Sequence, residues 1–366
     1  MEDYDFYMKE ALNLAEKGIG KVNPNPKVGA IVVKDNKIIG KGYHKYFGGP
    51  HAEVYALKEA GEKAKGATIY VTLEPCSHYG KTPPCAEAIV KAGISKAVIS
   101  MKDPNPLVEG NGLDILKRNG IEVVTGIMEK ESKELNEVFI KYITKKEPFV
   151  ILKTASTLDG KIATKKGESK WITGEQSRYR VQEIRNDLSG IMVGIGTIIK
   201  DNPLLTTRIE GGRSPKAIIV DSHLRIPLES KILKTIDERT IYVFTTKKHN
   251  NISKKNMLEK LGVKVLEFQE NEEGKVPLKE VIQYLGENGM DSILLEGGST
   301  LNFSALKEGI IDKVMCFIAP KIMGGKDSKN MIGGNGVENL KDIFMLKNLK
   351  FEQVEQDILI EGYVDR

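Results

Sequence analysis

The chain has 366 residues, of which 40% are hydrophobic and 29% charged, and a net charge of +5 from 55 basic and 50 acidic side chains. These values fit a two-domain globular protein, and without a basic arm or stripe they exclude a nucleic-acid binder read from charge. No apolar run is long enough to span a bilayer, the acidic start MEDYDFYMKEALNLAEKG is no signal peptide, and three cysteines predict a reducing cytoplasm rather than a disulfide framework.

Residues 4–17 have helical periodicity, with Phe6, Met8, Leu12 and Leu14 apolar and Gly18 and Gly20 as stops. VGAIVVK (28–34) and KIIGKGY (37–43) predict a hairpin across Asp35-Asn36. A helix is expected after GGPH, then a strand at 67–73, a helix at 84–93 and a strand at 96–101. Helices at 110–119 and 129–143 flank a strand at 121–126. This order predicts a layered α/β domain. The charged KYITKKEP (141–148) marks the domain boundary, giving domains 1–146 and 147–366. The alternation restarts at 149 with strand-length apolar runs and helical patterns near 174–188, 252–261 and 277–288, so the second domain is also α/β. No internal repeat is present.

The chemistry of the first domain lies in His51-Ala52-Glu53, Pro75-Cys76 and Cys85. One imidazole and two thiolates supply three ligands for a tetrahedral Zn²⁺ with one open position, the pattern of a catalytic site. Two thiolates neutralise the ion's charge, so a proton shuttle beside it is needed, and Glu53 stands two residues from His51. The pattern H-x-E…P-C-x-x-C belongs to zinc deaminases. Here eight residues, not two, separate the cysteines, so SHYGKTPP must bulge outward. A structural zinc with His78 as fourth ligand is the alternative on the same residues, as is a disulfide within the loop.

NPNPKVGA (23–30), GYHKYFGGPHAE (42–53), GATIYVTLEPCSHYGKTPPC (66–85) and DPNP (103–106) together resemble the deaminase half of the bifunctional riboflavin-biosynthesis deaminase/reductase family. Val22 departs from the polar residue frequent there. The resemblance implies a cytidine-deaminase-like three-layer domain. It implies hydrolytic loss of an amino group from 2,5-diamino-6-ribosylamino-4(3H)-pyrimidinone 5′-phosphate. His51, Cys76 and Cys85 would hold zinc, Glu53 would move protons, and Asn25, His44, His78 and Lys81 would line the substrate. On residues alone, His44 equally reads as a surface histidine, Asn25 as turn chemistry and Lys81 as a solvated loop lysine.

In the second domain TASTLDGKIAT (154–164), SKWITG (169–174), VGIGTIIKDNPLLTTR (193–208) and LLEGGSTLNFSAL (294–306) stand out. Gly297-Gly298 followed by Ser299 and Thr300 predicts a phosphate cradle at a helix start, with those two hydroxyls as caps. The G-x-G-x-x-G fingerprint is absent. These segments resemble the reductase half of the same family, so a dihydrofolate-reductase-like fold and NADPH are implied. Ala155, Trp171, Thr197, Asp201, Ser222, Gly298, Ser299, Thr300, Leu301, Asn302, Phe303 and Ser304 would contact NADPH. Ser169, Arg185, Leu205, Arg208 and Glu296 would contact substrate, with Arg185 and Arg208 suited to gripping a phosphate and Glu296 or Asp201 to accepting ribose hydroxyls. Without the resemblance, Trp171 reads as core, Ser169 as a helix cap, Arg185 as a solvated helix face and Asp201 as a turn former. Cys316 reads as a buried hydrophobe.

The leading reading is a zinc deaminase joined to an NADPH reductase, cytoplasmic, acting on a small phosphorylated pyrimidine, with a homo-oligomer implied by the resemblance. The alternative enzyme reading is a nucleoside or tRNA-base deaminase with an appended α/β domain, and the basic stripe that tRNA would need is missing. A non-catalytic zinc protein has no use for Glu53.

Overall fold

A computed structural model of the chain describes residues 3–77, 79, 83–105 and 109–365. The chain divides into two compact units, Met1–Lys146 and Glu147–Arg366. Among the described residues no helix is long and apolar enough to cross a membrane.

The first unit contains α1 (Tyr4–Ala15), β1 (Gly29–Lys34), β2 (Lys37–Tyr43), α2 (Ala52–Ala60), β3 (Thr68–Leu73) and α3 (Cys85–Lys91). It continues through β4 (Lys96–Met101), α4 (Asn111–Arg118), β5 (Glu122–Thr125), α5 (Glu129–Leu135) and α6 (Glu137–Lys145). The sheet order is β2-β1-β3-β4-β5. The β1–β2 and β1–β3 pairs are antiparallel, whereas β3–β4 and β4–β5 are parallel. The expected hairpin forms because Asp35 and Asn36 both accept positive φ, 49° and 57°. Helices cover both faces. Met8, Ala11 and Leu12 of α1 pack on one with Ile31, Tyr70 and Val98, and Ala52, Ala56, Ile89 and Leu116 pack on the other. Phe6, read as part of the buried stripe, is 54% exposed, and Tyr7 takes its place in the core.

Two features set where α2 lies. A Cβ on Gly42 would come 2.1 Å from Ala52 O, and one on Gly40 would come 2.2 Å from Ala56 O. The helix therefore rests directly on the β2 main chain. The single helix expected over 129–143 is two helices, and KYITK, expected in the boundary, belongs to the second. The break falls at Asn136, whose side chain pairs with both backbone groups of Lys27 (Lys27 N to Oδ1 2.8 Å, Nδ2 to Lys27 O 3.0 Å). A long-range bond to a strand approach outweighs local helix continuity here.

The second unit opens with β6 (Phe149–Thr157), β7 (Lys161–Ala163), α7 (Glu175–Asp187), β8 (Gly190–Gly194), α8 (Ile195–Asp201) and β9 (Lys216–Val220). Then come β10 (Ile241–Thr246), α9 (Ile252–Lys260), β11 (Lys264–Phe268), α10 (Leu278–Glu287), β12 (Ser292–Leu295) and α11 (Ser299–Lys307). It closes with β13 (Lys313–Ala319), β14 (Lys329–Asn330), β15 (Leu346–Val354) and β16 (Asp357–Val364). The main sheet has the order β11-β10-β9-β8-β12-β6-β13-β16-β15, and β14 pairs with β7 apart from it. Its pairs are parallel from β11 to β13, and β16 and β15 add antiparallel at the end. The parallel strands read as near-continuous apolar runs because both faces are covered, by Val281, Ile282 and Leu285 of α10 and Leu306 of α11 on one side and Ile198 and Leu258 on the other.

Candidate functional site

His51 is the N-cap residue of α2, and Cys85 is the first residue of α3. Cys76 follows β3. Their ligand atoms lie within 4.8 Å of one another. His51 Nδ1 is 3.5 Å from Cys76 Sγ and 3.3 Å from Cys85 Sγ, and the Cys85 backbone N–H donates to Cys76 Sγ at 3.3 Å. Hydrogen bonding from the Cys85 thiol, joined by that to His51, outweighs burial and holds Cys76 down to about 4, while the same thiol contact and burial push Cys85 up. The pair thus shares a proton around one thiolate. His51 is raised by its bond to Cys76. One nitrogen and two sulphurs at this spacing form a soft donor set suited to Zn²⁺.

Glu53 sits in the first turn of α2, 3% exposed, and its Oε2 has no hydrogen-bond partner. Burial pushes its carboxyl up to about 6, with His51 pulling the other way. His44 is buried, and burial lowers its pKa. Its Nδ1 meets the carbonyl of Pro50 at 3.0 Å and therefore donates, leaving Nε2 to accept from Asn25 Nδ2 at 3.2 Å. The burial of His44 displaces its reading as a surface histidine, whereas Asn25 does close a turn, its N–H donating to Val22 O at 2.9 Å, and adds the side-chain bond to His44. A cavity of about 260 Å³ gathers Asn25, His44, His51, Glu53, Cys76 and Asn105. His78 and Lys81 lie outside the described residues.

Sequence reasoning missed Glu74. This buried carboxylate accepts four backbone N–H groups, Asp103 (3.2 Å) and Gly110 (3.1 Å) at Oε2 and Gly112 (3.0 Å) and Leu113 (3.4 Å) at Oε1. It fastens the segment carrying Cys76 to the start of α4 and to the loop of Asp103 and Asn105, which also line the cavity. Its place beside Pro75-Cys76 was the available signal.

The second unit has a cavity of about 520 Å³ at the carboxyl ends of β8, β9 and β12. Of the expected cofactor residues, Thr197, Asp201, Ser222, Gly298, Ser299, Thr300, Leu301 and Ser304 line it, as does Ser169, expected on the substrate side. Gly298, rather than Ser299 or Thr300, is the N-cap of α11, and no side chain caps it. The first N–H groups of that helix therefore have no intrahelical partner. The cavity volume and this bare helix start fit a phosphate-bearing dinucleotide. Four expected residues fall outside the lining. Asn302 is 3% exposed, with Nδ2 donating to Met331 O at 2.8 Å and Oδ1 unpartnered. Phe303 packs edge-on against Phe344. Ala155 lies in β6, and Trp171 is 61% exposed rather than core, with the Arg178 guanidinium 4.6 Å from its ring.

Arg185 is not free to grip a phosphate. Its Nε donates to Glu296 Oε1 at 2.7 Å, one terminal nitrogen to Glu296 Oε2 at 2.8 Å and the other to Thr206 O at 3.1 Å. Lys153, missed from the sequence inside an apolar strand, stands 3.6 Å from Glu296 Oε2. Burial raises the Glu296 pKa, but Arg185 and then Lys153 outweigh it and hold the carboxyl at about 2. Glu296 is thus already engaged by Arg185 and Lys153. Leu205 points into the core, with its carbonyl accepting from Arg239 at 2.7 Å, whereas the Arg208 side chain is exposed. Cys316 is buried, as expected.

Residues 148–360 match the RibD C-terminal domain, and residues 1–101 match the cytidine and deoxycytidylate deaminase zinc-binding region. The riboflavin biosynthesis protein RibD of Actinobacillus pleuropneumoniae is 46% identical, over 100% of this chain and 96% of the relative. That of Aquifex aeolicus is 46% identical, over 97% and 96%. The Acinetobacter baumannii RibD structure superposes with a TM-score of 0.87 at 40% identity, covering 99% of both chains. A Thermotoga maritima diaminohydroxyphosphoribosylaminopyrimidine deaminase/5-amino-6-(5-phosphoribosylamino)uracil reductase gives 0.84 at 40%, again covering 99% of both. The α/β architecture accordingly comprises a cytidine-deaminase-like part and a dihydrofolate-reductase-like part. The chain belongs to the RibD family of riboflavin biosynthesis: it is a two-activity enzyme, a zinc-dependent deaminase joined to an NADPH-dependent reductase.

Proposed function

We propose that the first unit, Met1–Lys146, removes an amino group from a phosphorylated diaminopyrimidine and that the second, Glu147–Arg366, reduces the ribosyl group of the product. The observation that carries this is the convergence of His51 Nδ1, Cys76 Sγ and Cys85 Sγ beside the buried, unpartnered Glu53 Oε2. The three donors would hold Zn²⁺, which would supply Lewis acidity for hydrolysis. Glu53 Oε2 takes a proton from the attacking water and passes it to the departing amine, a transfer matched by a carboxyl near 6. Asn25 and His44, locked to each other and to Pro50, position the pyrimidine. We assign His78 and Lys81 to the substrate as well, with the Lys81 ammonium as partner of its phosphate, so Lys81→Ala raises KM.

In the second unit bound NADPH would supply the hydride. Thr197, Asp201, Ser222, Gly298–Leu301 and Ser304 form its cradle, with the bare start of α11 facing a phosphate. Ser169, Leu205 through its main chain, and Arg208 border the substrate, and the Arg185–Glu296 pair stiffens the ground beneath it. We further propose a cytoplasmic homo-oligomer. Its support is the exposed edge strand β15, which presents Phe351 at 66% exposure and Leu349 at 48%.

The test follows ammonia release and NADPH oxidation separately. Glu53→Gln retains one zinc per chain, abolishes ammonia release and leaves reduction of the deaminated substrate at the parent rate. Parent-rate ammonia release from that variant overturns the assignment.

A further inference from the structure

Arg239 lies between the short turn Lys231–Thr235 and β10 and is only 7% exposed. A buried guanidinium is ordinarily matched by a carboxylate. This one instead gathers main-chain carbonyls. One terminal nitrogen donates to Leu205 O at 2.7 Å and to Pro215 O at 2.9 Å, and the other donates to Leu204 O. Its Nε donates to Thr235 Oγ1 at 3.1 Å, and that hydroxyl donates in turn to Ile232 O at 2.8 Å. Burial, and then the charge of Arg185, lower its pKa to about 10, so it stays a cation at neutral pH.

The carbonyls it holds belong to the segment between α8 and β9. That segment is also tied from α7, where Arg185 donates to Thr206 O at 3.1 Å and Gln182 Oε1 accepts from Arg208 N at 3.0 Å. Leu205 sits in the left-handed region at φ 56°, a conformation a leucine keeps only where its surroundings impose it. A trans peptide points its N–H opposite to its C=O. With the Leu204 and Leu205 carbonyls drawn onto Arg239, the N–H groups of Leu205 and Thr206 face away from the guanidinium. Neither has a hydrogen-bond partner among the described residues. Two successive outward N–H groups beside the exposed Arg208 side chain make a concave donor set for an anion.

We propose that Arg239 is a positioning residue for the reduction: by holding the Leu204 and Leu205 carbonyls it turns the Leu205 and Thr206 N–H groups, with Arg208, toward the phosphate of the substrate. This rests on the reading that Leu205 and Arg208 border the substrate.

The experiment uses the full-length protein, saturating NADPH, and two substrates, the deaminated pyrimidine phosphate and its dephosphorylated form. Arg239→Lys keeps the charge but not the fork. It raises KM for the phosphorylated form about tenfold and leaves kcat, and kcat/KM for the dephosphorylated form, within about twofold. Thr235→Val removes the acceptor that orients Nε, keeps the side-chain shape and shifts KM in the same direction by less. It decides the matter where Arg239→Lys does not fold. NADPH affinity by calorimetry stays at the parent value in both variants. Arg208→Ala tests the underlying reading, since it too lowers the preference for the phosphorylated form. If Arg208→Ala does so while the folded Arg239 and Thr235 variants keep the parent preference, or slow both substrates equally, Arg239 only supports the fold and the proposal is overturned. If Arg208→Ala leaves the preference unchanged, the reading of this segment as the substrate side fails and the proposal fails with it.

Discussion

Arg185 and Glu296 close on each other through two parallel hydrogen bonds, Nε to Oε1 at 2.7 Å and a terminal nitrogen to Oε2 at 2.8 Å. Both are largely buried, with side-chain exposures of 11% and 9%. Arg185→Met leaves the buried carboxylate with the Lys153 ammonium, 3.6 Å away, as its remaining ion-pair partner and costs about 3 kcal/mol. Glu296 has a depressed pKa, about 2 against 4.5, so its stabilisation is complete above 4.5 and is lost as the pH falls toward 2. Acid unfolding followed by circular dichroism therefore shows destabilisation of the second unit across that window. The Glu296→Gln protein lacks this part of the pH dependence. An unchanged acid transition in the variant counts against the pair's role.

Metal content separates ligands from the proton carrier. His51→Ala and Cys85→Ser lower bound zinc well below one per chain, whereas Glu53→Gln does not, as read by atomic emission. The cysteine pair must release its shared proton to bind the ion, so zinc affinity falls as pH falls. A competition titration with a chelator at pH 6 and 8 measures this. Equal affinity at both values contradicts the donor set.

Glu74 fixes a loop and a helix start with one carboxylate. In Glu74→Gln an NH₂ group faces backbone donors, and the charge-assisted bonds to four N–H groups are weakened. A loss of about 2 kcal/mol is expected. It is read as a lower melting midpoint for the first unit and slower deamination, with NADPH oxidation unchanged. If the midpoint does not move, solvent already meets those donors.

The start of α7 is held from far along the chain. Asp357 Oδ2 accepts from Gly174 N at 2.7 Å and from the Ser177 hydroxyl at 2.6 Å. Asp357→Asn keeps the shape, removes the charge and costs about 1–2 kcal/mol. Differential scanning calorimetry detects it as a lower transition of the second unit alone.

The legible parts were those whose information is local. The hairpin at Asp35-Asn36, the apolar parallel strands and the His51-Glu53 spacing are each written within a few residues. The metal donors were legible because Cys76 and Cys85 lie at a strand end and a helix start. The helix break at Asn136, the anchoring of α7 by Asp357 and the ion pair that occupies Arg185 depend on partners more than 100 residues away. Lys153 was hidden for another reason. Its neighbours form a buried apolar strand, and nothing adjacent marks it as one side of an ion pair.

Gly40 and Gly42 touch neither ligand nor metal donor, yet they set the height of α2 above β2. Ala52, whose carbonyl meets Gly42, stands between His51 and Glu53 in the chain. The imidazole and the carboxyl are thus mounted on a platform whose level equals the thickness of bare main chain. A methyl group added beneath it would raise both together, altering their reach into the cavity while preserving the spacing between them. Catalytic reach in this unit is therefore adjustable from the opposite side of the helix.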